Sequence, residues 1–103
     1  MTVRDWLADR EPSPPRVLRE RVEALALAVP EQPGDPASTL IDAAEAALAR
    51  LPRDGAADRA TALDLLAVDA LVTYAFEYAA TTPDSIPALS ARAMSRLSSA
   101  IGP

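Results

Sequence analysis

The stretch LDLLAVDALVTYAFEYAA, Leu63 to Ala80, decides the fold. It contains no proline or glycine and stays apolar for longer than a strand, so it reads as a helix. At about 100° per residue, Leu63, Ala67, Leu71, Tyr74 and Tyr78 share one broad face. Leu65, Val68, Val72 and Phe76 occupy the opposite side. Asp69, Thr73 and Glu77 step by four as a narrow polar stripe, which Arg59 joins, and Asp64 stands alone within the apolar face near Leu71. A helix that is apolar nearly all round belongs in the middle of a bundle.

Working outward, Asp54-Gly55 opens this helix, which is predicted over about 56–81, with Asp58 in its first turn. Thr81-Thr82-Pro83-Asp84 is a turn and a fresh cap. The next helix carries Ile86, Leu89, Ala93, Leu97 and Ile101 on one face, and Gly102 suits the position after its end. Upstream, Asp35-Pro36 is an N-cap followed by proline at the first helical position. That helix runs to about Arg50, with Leu40, Ile41, Ala44, Ala47, Leu48 and Leu51 facing the core. Ser13-Pro14 repeats the signal for a helix over about 14–29, whose stripe is Leu18, Val22, Leu25 and Val29. Arg16/Glu20 and Arg19/Glu23 are solvent-side pairs four residues apart. Thr2-Val3-Arg4-Asp5 reads as a capping box for a short helix, about 3–10, that places Val3, Trp6 and Leu7 together. No segment alternates as a strand does. The fold class is all-α: a small antiparallel bundle of four main helices plus a short N-terminal one, in one domain of 103 residues.

Composition narrows the chemistry. The chain has no Cys, His, Lys or Asn, and all ten of its basic residues are Arg. Ser-His and Cys-His nucleophile pairs, a Schiff-base lysine and the usual zinc site are therefore excluded. No cofactor, metal or catalytic residue is assigned, and the expectation is that the protein is not an enzyme. The net charge of −5 argues against general nucleic-acid binding, which needs a basic footprint. A membrane span over Leu63–Ala80 would place Asp69 mid-bilayer at a cost of roughly 3 kcal/mol. The amino-terminal stretch lacks a long apolar segment of the secretory kind. An Ala- and Arg-rich chain of this kind is what GC-rich coding produces, and the expectation is a cytoplasmic bacterial protein.

Arg92 and Arg96 share a face of the last helix, and a short turn separates it from the Leu63–Ala80 helix. Counting back from that turn sets Glu77 opposite Arg92 and puts Asp69 and Thr73 near Arg96. A buried zipper of Asp69, Glu77, Arg92 and Arg96 is therefore expected to fix the register of the two helices.

LLAVDALVTYAFE, 65–77, resembles one helix of the trans-type polyprenyl diphosphate synthases, whose members carry a G-D-A-L-L-x-x-A-F-E pattern there. Asp69, Ala70, Leu71, Ala75, Phe76 and Glu77 match it, and Val68 stands at the glycine. The aspartate-rich motifs that bind Mg²⁺ and diphosphate in that family are missing. The resemblance therefore implies no prenyl transfer, only a helix able to line an isoprenoid-sized apolar groove.

The functional expectation is a protein that acts by binding, as a homodimer or adaptor subunit. Its contact surface would comprise Leu65, Val68, Val72 and Phe76, with Trp6 either docked on its own bundle or serving as an arm on another subunit, because tryptophan is enriched among interface anchors. The alternative is a carrier or sensor of a small apolar ligand. There, Leu71, Tyr74 and Tyr78 would line a pocket with Asp64 as its polar contact.

Overall fold

The structure is a computed structural model that describes residues 2–52 and 58–101. Among these residues the chain forms five α-helices and no strand: α1 (Val3–Ala8), α2 (Arg16–Leu27), α3 (Pro36–Ala49), α4 (Arg59–Ala79) and α5 (Ile86–Ile101). A 3₁₀ turn, Pro83–Ser85, joins the last two. Buried residues from every helix contribute to the packed interior, and most belong to a single apolar cluster.

Local chemistry sets most of the boundaries. The Thr2 hydroxyl accepts from the Asp5 amide while the Asp5 carboxylate accepts from the Thr2 amide, which completes the capping box. A helix of six residues still needs docking. Glu31 supplies part of it by accepting from the Val3 amide at 2.6 Å. Asp35 caps α3 through the Ser38 amide, with Pro36 at the first helical position. Gly34 takes φ +73° in the turn before it, in the left-handed region that glycine enters without steric cost. α2 starts later than its Ser-Pro signal implies, at Arg16 and without a side-chain cap. The reason is local: Pro14 precedes Pro15, and a residue before proline is pushed out of the α region. The N-cap of α4 is Asp58, whose carboxylate accepts from the Thr61 amide at 2.7 Å. Asp54-Gly55 and Gly102 lie outside the described residues.

The central element is α3 rather than α4. Its contacts with α4 are the most extensive in the molecule, followed by those with α5, and it also meets α1 and α2. Leu40, Ile41, Ala43 and Ala44 are almost completely enclosed. α4 presents Ala67, Leu71, Ala75 and Ala79, a stripe of four-residue steps, to the interior. Small residues, Ala43, Ala44 and Ala47 on α3 and Ala67, Ala75 and Ala79 on α4, lie buried among the larger Leu40, Ile41 and Leu71, so the two backbones can approach closely. α5 lies chiefly on α3 and touches α4 less. Leu89, Ala93 and Ala100 form its buried side, whereas Ile101, expected on the core face, is exposed.

Two predictions follow from the seam and the caps. Ala75→Leu should overpack the seam and lower stability by about 1–3 kcal/mol in urea unfolding, whereas Ala62→Leu on the exposed side should stay within about 0.5 kcal/mol. The hydrogen bond from the Thr61 amide holds the Asp58 carboxyl below its ordinary value of 3.8. The stabilisation from Asp58 is therefore present above about pH 4 and is lost as pH falls through the lowered folded value. Asparagine caps comparably without titrating. Asp58→Asn should leave the melting temperature near its original value at pH 7 and flatten its fall below pH 4.

Candidate binding surface

Three of the four aromatic side chains, Trp6, Tyr74 and Tyr78, gather on one flank of α4. Trp6 is only 5% exposed and meets Tyr74 and Tyr78 edge-to-face, with ring centroids 6.0 and 5.6 Å apart. The Arg10 guanidinium stacks over the indole at 3.6 Å and donates from Nε to the Trp6 carbonyl. Its other end stands 4.0 Å from the Glu77 carboxylate. Burial, with the nearby Glu77 charge, raises the Tyr74 phenol above its ordinary value of 10.0, and Arg10 opposes that shift.

This arrangement selects one of the two readings of Trp6 and corrects the expected pocket. Trp6 docks on its own bundle, because a six-residue helix gains most by burying its one large side chain at once. The space expected to form a pocket against Tyr74 and Tyr78 is thereby filled by the indole. Leu71 is fully enclosed, and Asp64 binds Arg21 of α2 at 2.6 Å. That bond keeps the Arg21 guanidinium charged, raising it above its ordinary value.

The expected zipper between α4 and α5 is replaced by one between α3 and α5. Arg92 bonds Asp42 at 2.8 Å and Arg96 bonds Glu45 at 3.2 Å. Asp42 also accepts from the Gln32 side-chain amide, so it ties α5 and the α2–α3 loop to the central helix. The Arg92 Nε is buried without a hydrogen-bond partner. Asp69 and Glu77 are exposed on α4, and Asp69 makes no ion pair among the described residues. The cause is the packing: α5 follows α4 in sequence but packs on α3, where Asp42 and Glu45, one turn apart, stand opposite Arg92 and Arg96. The spacing of those acids was visible in the sequence, but their pairing depends on which helices become neighbours. The Arg21–Asp64 bond spans 43 residues and has no local signature.

α4 leaves an apolar outer side. Leu65 is 49% and Leu66 57% exposed, while Val68, Val72 and Phe76 are half-buried and pack partly on the core. Beside Leu66, a groove of about 260 Å³ runs between α4 and the loop after α1, lined by Arg10, Pro12, Asp69, Ala70, Thr73 and Glu77 among others. Among the described residues, no group of three potential ligands could hold a metal ion, and no helix is long and apolar enough to cross a membrane. No family model matches the chain, and no curated protein or solved structure matches it.

Trp6→Ala should remove the indole contacts and cost about 3–5 kcal/mol in denaturant unfolding. Arg10→Met should cost about 1 kcal/mol, the worth of an exposed cation–π contact. A Trp6→Ala loss below about 1 kcal/mol would mean that α1 is not a fixed part of the bundle.

Proposed function

We propose that this protein acts by binding rather than by catalysis, as a self-associating subunit whose contact surface lies on the outer side of α4. The observation that carries this reading is the exposure of two adjacent leucines, Leu65 and Leu66, on the helix whose opposite side closes the core. Scattered apolar residues are normal on a surface. Here the leucines adjoin half-buried Val72 and Phe76 on one side and the Ala70–Thr73 groove on the other. Large apolar side chains flanked by the polar residues Asp69, Thr73 and Glu77 are what a helical partner with a polar rim covers.

Light scattering behind size exclusion tests this directly. The mass should rise with concentration from 10.8 kDa toward twice that value. Leu66→Glu should hold it at the monomer mass without lowering stability, because the side chain it replaces is already in water. A monomer at every concentration would overturn self-association.

A further inference from the structure

Resting on that reading, we infer that the occupant of the α4 surface is α4 of a second copy, packed antiparallel and in one register. Arg59, Leu63, Leu66, Ala70, Thr73 and Glu77 step along α4 by four, three, four, three and four residues, the spacing of a two-helix seam. Arg59, Leu66, Thr73 and Glu77 are exposed and Leu63 and Ala70 are half-buried, so the chain's own helices leave most of this strip open. It lies beside the Leu65/Val72/Phe76 side, not on it.

The strip is complementary to itself when reversed. An antiparallel twofold pairing with Leu66 facing Ala70 of the second copy also sets Leu63 against Thr73 and Arg59 against Glu77. Every pair then joins a large side chain to a small one, or a cation to an anion, and each occurs twice. The groove formed by Arg10, Pro12, Ala70 and Thr73 stands where the incoming Leu66 arrives. Glu77 is free to accept a second cation, because Arg10 reaches it only at 4.0 Å and an ionised carboxylate has several acceptor sites. A parallel pairing would instead set Arg59 against Arg59 and Glu77 against Glu77. Charge complementarity therefore selects the antiparallel arrangement.

The absence of native cysteine makes the register directly measurable. Chains carrying Leu66→Cys and chains carrying Ala70→Cys are prepared separately, checked for helicity by circular dichroism, mixed, and oxidised mildly. The mixture should cross-link as the 66–70 heterodimer at least about tenfold faster than either chain alone, since a disulfide requires close Cβ atoms. Arg59→Glu should weaken the dimer roughly three- to tenfold, and adding Glu77→Arg to it should restore the affinity. A dimer in which Leu66→Cys links fastest to itself, or in which Leu65→Cys links best, overturns this register and leaves self-association standing. A chain that stays monomeric in light scattering overturns both.

Discussion

The structure depends on the closeness with which α3 and α4 can pack. Where the two helices are most deeply buried, α3 supplies Ala43, Ala44 and Ala47, and α4 supplies Ala67, Ala75 and Ala79. Alanine loses no side-chain entropy on burial, so its use in the seam limits the ordering cost of a small domain. It also contributes little apolar area, so the larger side chains must complete the core from the flanks. Leu40, Ile41 and Leu71 do so within the seam's own helices, Val22 and Leu25 do so from α2, and Trp6 does so from α1. The order of importance is thus set by the small residues, and the one large aromatic closes an edge.

Charge follows the same geometry. Because α5 settles on α3, its two arginines meet Asp42 and Glu45, and Asp69 and Glu77 of α4 turn outward. Arg92 is the more enclosed of the two, and its bond to Asp42 accompanies a buried Nε with no acceptor. Leaving such a donor unpaired opposes stability, whereas charge-assisted bonds to a carboxylate favour it. The net result fixes the orientation of α5 more than it adds to stability. The Arg21–Asp64 bond does the equivalent work between α2 and α4.

Much of this was legible in the sequence, for reasons that separate local from global effects. The Thr2–Asp5 box, the Asp35-Pro36 start and the helical stripes depend on side chains within one turn of each other, and the structure shows them. The start of α2 was misplaced by two residues because the constraint of consecutive prolines outweighed a good capping serine. The α3–α5 pairs were hidden because helices consecutive in sequence need not be the closest packed. The burial of Ala75 and Ala79 was hidden because alanine gives a weak hydropathic signal next to Tyr, Phe and Leu. The centrality of α3 depends on its having all four other helices as neighbours, which no single helix's pattern encodes.

The alanine seam also explains why α4 keeps large apolar residues outside the core, next to its polar stripe. α4 has 21 residues and turns its four-step alanine stripe to the core, so its remaining large residues must be covered by flanking elements or left in water. α1 covers Tyr74 and Tyr78, and the core takes part of Val68, Val72 and Phe76. Nothing within the described residues covers Leu66. Leu66 stays more than half exposed, while a four-residue step away Ala70 leaves room for a large side chain. Two copies bring together a net charge of −5 each, so association needs a localised attraction to offset the general repulsion. In the proposed antiparallel pairing, Arg59 near the start of α4 and Glu77 near its end would supply it at both ends of the strip, as a short-range attraction that salt screens beyond roughly 8 Å. In that pairing, the spacing that keeps these charges apart within one chain would bring them together between two.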